Sequence, residues 1–174
     1  MSRRALFVSY GGGHVSMVMP VIRALREKAP DIECILMALT TGMVKARAAG
    51  FNTLGYRDFL HLTDREAALR WGNVLHAGNN SPDVPAEESV AYLGINYLDL
   101  IDQHGEEGAG VVYRERGRYG FRPLGFMRRV VRDVEPDIVV ATNSPRSEEA
   151  ALEAAIELDI PSIGMIDLFG IDAD

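Results

Sequence analysis

Ala5-Leu6-Phe7-Val8-Ser9-Tyr10-Gly11-Gly12-Gly13-His14 is the stretch that decides the fold. An apolar run this short, stopped at once by glycines, suits a strand buried on both faces. Working outward, Val15 to Lys28 has helical spacing, with Val18, Val21, Ile22 and Leu25 on one face and Arg23, Arg26, Glu27 and Lys28 opposite. Pro20 predicts a kink or a short first piece, and Pro30 closes the helix. Ile32 to Leu39 reads as a second buried strand. Thr41 to Ala49 reads as a short helix with Gly50 as a left-handed C-cap, and Asn52 to Tyr56 as a third strand.

The far end of the chain repeats this alternation. Pro136-Asp137 leads into the strand Ile138-Val139-Val140-Ala141, then the polar turn Thr142-Asn143-Ser144-Pro145-Arg146-Ser147. Glu148 to Leu158 is a helix with acidic residues near its start, as its dipole prefers, and Ile160-Pro161 turns into a strand over Ser162 to Ile166. Between the two ends, Thr63 to Trp71 is predicted helical with Thr63 and Glu66 as a capping box. Gly78 to Pro85 is a loop, Ala86 to His104 a helix closed by Gly105, Glu106 to Arg118 a charged stretch, and Pro123 to Val134 a helix. Strands alternating with helices predict an α/β fold: a doubly wound, mainly parallel sheet with helices on both faces. With no repeat, low-complexity tract or clean linker, residues 1–174 are expected to form one Rossmann-like domain.

Composition sets the outer limits. The chain has 174 residues, 47% hydrophobic and 25% charged, ordinary values for a globular protein with a substantial core. A formal net charge of −7 provides no global basic field, so nucleic acid is not an expected partner. Cys34 stands alone in an apolar run and reads as a buried small hydrophobe. No apolar run approaches the roughly 18 residues of a membrane span, and Met1-Ser2-Arg3-Arg4 leads into no signal-peptide core, which makes the cytoplasm the expected location.

In sheets of this kind ligands gather at the carboxyl ends of the strands. Three segments are expected to meet there: Gly11-Gly12-Gly13-His14, Asn143-Ser144-Pro145-Arg146, and Asp167. Three glycines let the backbone approach a ligand, and the helix start behind them points unpaired amides at it, which favours a phosphate or another anion. The spacing is neither the dinucleotide fingerprint nor the P-loop. His14, at the mouth of the helix, is the candidate general base for a hydroxyl nucleophile; the alternative is a hydrogen bond that holds the loop in shape. Asn143 and Ser144 can donate to a sugar hydroxyl, and Arg146 can clamp an anion or sit as a capping-region charge. A Ser144–His14–Asp167 hydrolase triad lacks the nucleophile-elbow pattern. His61, His76 and His104 have no metal-ligand spacing, and no aspartate pair is placed for one, so no metal is expected. Arg114, Arg116, Arg118, Arg122, Arg128, Arg129 and Arg132 form a basic cluster, either a solvated helix face or a dock for anionic lipid or a lipid-linked phosphate.

On these residues the chain resembles the N-terminal domain of GT-B-type proteins, a group that includes the lipid-linked N-acetylglucosaminyltransferases of cell-wall synthesis and the UDP-N-acetylglucosamine 2-epimerases. The strand–Gly11-Gly12-Gly13-His14–helix opening resembles the transferase glycine loop, whose histidine lies by the acceptor hydroxyl. The stretch from Pro136 through Asp167 is similar to a segment shared by both groups. Pro20 falls six residues after His14, closer to the epimerase spacing, but the epimerase loop arginine and Pro-Glu are missing, and its later acidic position is Ser144. The resemblance therefore implies a transferase using a UDP-sugar, with Gly11, Gly12, Gly13, Asn143, Ser144, Arg146 and Asp167 binding ligand and His14 catalytic. It also implies that the donor binds a C-terminal domain absent from these 174 residues, either the rest of a longer protein or a separate donor-binding subunit. Alone, the chain is expected to be inactive, to hold no cofactor and to self-associate, and peripheral contact with the inner face of a membrane follows if the acceptor is lipid-linked. An epimerase or sugar-nucleotide hydrolase half, and a non-catalytic scaffold recruiting a donor-binding subunit, are the alternatives.

Overall fold

The computed structural model describes residues 3–77, 83–143 and 146–166. Strand β1, Arg3–Tyr10, is central because its side chains are buried on both faces: Leu6 and Val8 on one, Ala5 and Phe7 on the other, all at most 2% exposed. It pairs in parallel with β2, Ile32–Leu39, and with β3, Ile138–Thr142, while β3 pairs in parallel with β4, Ser162–Met165. The sheet order is β2-β1-β3-β4. Asp137 ties β3 to β1: its Oδ2 accepts from the Arg4 amide at 2.7 Å and its own amide donates to the Arg4 carbonyl at 2.8 Å.

Helices α1, Gly11–Lys28, and α2, Thr41–Ala48, cover the Ala5–Phe7 face through Val15, Val18, Ile22, Met43 and Ala46. The opposite face carries α3, Arg65–His76; α4, Ala86–Arg116; α5, Leu124–Val134; and α6, Ser147–Glu157. The expected α/β architecture, parallel with helices on both faces, is what the chain adopts. Among the described residues no helix is long and apolar enough to cross a membrane.

Several local expectations are corrected. The third strand at Asn52–Tyr56 is a single bridge, Leu54 to Met37, held by Leu54 N to Leu36 O at 2.9 Å and Ala38 N to Leu54 O at 3.1 Å. The strand stops because the chain squeezes past Gly55, where a Cβ would stand 2.3 Å from Met43 and 2.5 Å from Glu88 Oε2, and then turns into a 3-10 helix, Tyr56–Leu62. The glycines are not a loop before the helix but its first turn, and α1 runs on through Pro20. Pro20 is exposed, so the carbonyl that its missing N–H leaves free, on Ser16, lies on the outer side of the helix. Asp64, not Thr63, caps α3, accepting from Ala67 N at 3.0 Å. The charged stretch after Gly105 is helical: α4 breaks at that glycine (φ 71, ψ 168) and resumes to Arg116. Cys34, expected buried, is half-buried on the outer strand β2. Residues 78–82 of the expected loop and the tail from Gly170 to Asp174 lie outside the described residues.

The topology reverses between β1 and β3. From β1 the chain passes through α1 to β2 on one side; from β3 it passes through α6 to β4 on the other, with α1 and α6 on opposite faces. That reversal opens a crevice at the carboxyl ends of β1 and β3, flanked by two helix N-termini.

Candidate functional site

Three side chains from three elements meet in that crevice. His14 lies in the first turns of α1, Thr142 ends β3, and Glu148 is the second residue of α6. His14 Nδ1 is 2.8 Å from Thr142 Oγ1 and 3.5 Å from Glu148 Oε2. The Thr142 hydroxyl donates to Glu148 Oε1 at 2.6 Å, and the same oxygen accepts from the Tyr10 amide at 2.5 Å. Glu148 is fully buried and the His14 side chain is 31% exposed. Thr142 has one proton and gives it to the carboxylate, so it can only accept from His14. Neutral His14 is therefore protonated on Nδ1, and Nε2 carries the lone pair. Nε2 has no hydrogen-bond partner among the described residues. A buried carboxylate fixing the tautomer and facing the imidazolium that forms is the geometry of a general base.

The first turn of α1 adjoins this group. Gly11 has φ +79, a conformation that only glycine adopts cheaply, so its role is partly to let the chain turn from β1 into the helix. Gly12 and Gly13 have no such constraint, and a Cβ on Gly13 would meet nothing within 4 Å. Tyr10, at the N-cap, makes no side-chain capping bond, and the first turn holds no acid, which leaves this helix end suited to an anion. Arg146 precedes α6 with φ +77 and lays its guanidinium 4.3 Å from the Tyr10 ring centroid and 5.5 Å from that of Tyr119. Asn143 follows Thr142 directly and is exposed. Gly11, Gly12, Gly13, His14, Asn143 and Arg146 thus share one edge of the sheet, while Ser144 and Asp167 lie outside the described residues.

Sequence reasoning missed Glu148, Thr142 and Tyr10. Glu148 was readable only as an acid favouring a helix start; its burial and its reach across the crevice come from the β1–β3 pairing.

A second buried carboxylate lies nearby. Glu88, in the first turn of α4 and 4% exposed, accepts from the amides of Tyr56 at 2.7 Å and Arg57 at 3.0 Å. Burial pushes its pKa up to about 6, with those amides and the Arg57 charge opposing and Asp58 reinforcing. A raised acid binds its proton more tightly when folded, so this stabilisation is present below about pH 4.5 and is lost as pH rises through about 6. Wild type is expected to lose about 2 kcal/mol relative to Glu88→Gln between pH 4 and pH 7. Urea unfolding of both proteins across that range checks it; a constant difference contradicts it.

The basic cluster is partly neutralised from within. Arg122 pairs with Glu153 at 2.6 Å, Arg128 with Glu157, and Arg129 lies 3.9 Å from the buried Asp99. His61 faces Asp133 at 3.4 Å, and the described residues contain no group of three metal-ligating side chains.

With four parallel strands among the described residues, helices on both faces and a β1–β3 switch point, the architecture is decided by the sheet itself. The fold is Rossmann-like. No family model matches the chain, and no curated protein matches it. Among solved structures it is similar to a UDP-GlcNAc 2-epimerase from Neisseria meningitidis bound to UDP-GlcNAc, at 15% identity and a TM-score of 0.45. The match covers 93% of this chain and 31% of that one, so the chain spans under a third of its length.

Proposed function

We propose that this chain is the acceptor-side half of a nucleotide-sugar-dependent glycosyltransferase, with His14 Nε2 as the general base. The observation that carries the reading is the buried Glu148–Thr142 pair holding His14 in the Nδ1-protonated form beside an uncapped glycine helix start. In this mechanism the acceptor hydroxyl gives its proton to Nε2 as its oxygen bonds to the anomeric carbon. The sugar–phosphate bond breaks, and UDP departs with the bonding pair. Glu148 stabilises the imidazolium, and the α1 amides with Arg146 favour an anionic group at the same edge. The UDP-sugar sits on a second domain or subunit, which would cover the carboxyl edge where Tyr119 is 84% exposed and Ile166 62% exposed.

A sugar-nucleotide epimerase or hydrolase half is the second reading. Its weakness in the sequence was the lack of a carboxylate after β3, and Glu148 answers that only in part. Glu148 is fully buried and reaches the crevice through His14, so among the described residues His14 is the one exchangeable acid–base group there, where isomerisation needs two. Membrane contact through Arg114 to Arg132 draws less support, since three of those arginines face acids of the chain itself.

The test is a UDP-sugar assay on the chain joined to its donor-binding domain or partner, with and without a hydroxyl acceptor. Transfer that requires acceptor supports the reading; isomerisation or hydrolysis without acceptor supports the second. Micromolar UDP-sugar affinity of this chain alone, read by calorimetry, contradicts the division of donor and acceptor.

A further inference from the structure

Beside Tyr10 lies a cavity of about 210 Å³, between the carboxyl ends of β1 and β2 and the start of α4. Its walls carry Thr40, Thr41, Glu88, Ser89 and Tyr92, with Arg118 at the edge. Nothing in the His14 chemistry uses these groups. Three features mark it as built for a ligand. The Tyr92 hydroxyl is buried, its residue 4% exposed, and the Tyr10 side chain beside it offers only a loose hydrogen bond, short of ordinary geometry. The Glu88 carboxylate is clamped by two backbone amides, and Gly55 is required to admit it. Arg118 is exposed and forms no ion pair among the described residues.

We infer that this cavity binds a pyranose ring carrying an anionic group, with the ring against Tyr10, its hydroxyls on Glu88, Ser89, Thr41 and Tyr92, and the anion on Arg118. The lining mixes an aromatic face with fixed donors and acceptors at close spacing, which matches a ring bearing a hydroxyl on nearly every carbon. Burial, reinforced by the neighbouring Tyr10 and Tyr56 phenols, raises the Tyr92 phenol well above its usual pKa, so it is a donor at neutral pH, and a sugar oxygen offers it an acceptor of better geometry than Tyr10 does. A purely apolar ligand would leave Tyr92 without a well-placed acceptor. The cavity also adjoins the glycine turn: Thr41 Oγ1 stands 3.9 Å from where a Gly12 Cβ would be, so a ring here lies beside the start of α1. Which parent molecule carries the ring rests on the acceptor role proposed above.

Amide NMR of the whole chain titrated with glucose 1-phosphate tests this, with methyl glucoside and inorganic phosphate as separate probes. The expected result is saturable shifts at Thr41, Ser89 and Tyr92 with glucose 1-phosphate, weaker ones with methyl glucoside, and none at these residues with phosphate. Tyr92→Phe should weaken the binding about tenfold, the loss of one hydrogen bond. Ser89→Ala, at a half-buried position, gives a second reading if Tyr92→Phe is unstable. Shifts confined to Gly11–Gly13, or equal pocket shifts with inorganic phosphate, overturn the inference. So does sugar binding unchanged in both variants. Pocket shifts without any transfer in the assembled enzyme leave the cavity assigned and remove the transferase reading; transfer without pocket shifts does the reverse.

Discussion

His14→Ala is expected to slow transfer in the assembled enzyme by about 10²–10⁴-fold, the usual loss when a positioned general base is removed. Its effect on stability should be small. The His14 side chain is partly exposed and contributes one hydrogen bond, to Thr142, worth about 1 kcal/mol, and Thr142 keeps its bond to Glu148. A melting temperature lower by about 2–4 °C with the rate down by orders of magnitude assigns His14 to the chemistry. Rate loss that only follows the unfolded fraction would return His14 to holding the turn between β1 and α1.

The second large effect is at Glu148. In Glu148→Gln the amide oxygen can still accept from the Tyr10 amide and the Thr142 hydroxyl, so the fold should survive. The amide NH₂ would then face His14 Nδ1, which at present lies 3.5 Å from Glu148 Oε2. Thr142 still accepts from Nδ1 at 2.8 Å, so the tautomer is kept, and what the variant removes is the negative charge that stabilises the imidazolium. Transfer should fall about 10²–10⁴-fold with little loss of stability. Glu148→Ala should do something different. It leaves the Tyr10 amide and the Thr142 hydroxyl without their acceptor in a buried site, about 1–3 kcal/mol for each, and the melting temperature should drop clearly. Stability and rate measured on both variants separate the charge from the scaffold. Equal stability loss in the two, or full activity in Glu148→Gln, would remove Glu148 from the mechanism.

The elements that the sequence made legible are those whose pattern is local. β1 and β3 are unbroken apolar runs and α5 has an apolar face repeating at helical spacing, so each is found with nearly its full length. Where packing overrides pattern, the reading failed. Leu54 begins a strand that Gly55 ends, because Glu88 and Met43 occupy the space beside it, and neither is near in sequence. The helix beyond Gly105 is charged at both ends, Glu106-Glu107 and Arg114 to Arg116, and carries two glycines between them, so its short apolar stretch Val111 to Tyr113 has little helical period to read.

The site divides in the same way. His14 and the glycines were legible because a strand, three glycines and a helix start are consecutive. Glu148 was not, since it is 134 residues away from His14 in the chain and joins it only through the β1–β3 pairing. Tyr92 and Glu88 are likewise ordinary helix residues until α4 is laid against the end of β1.

Everything proposed for catalysis depends on which nitrogen of His14 carries the proton. Long-range ¹H–¹⁵N correlation of the histidine rings in the free chain, at a pH where His14 is neutral, reads this directly. The expected result is Nδ1 protonated and Nε2 bare, in wild type and in Glu148→Gln alike, because Thr142 keeps its donation to residue 148 in both. Neutral His14 protonated on Nε2 in wild type would leave no base at the crevice and would contradict it.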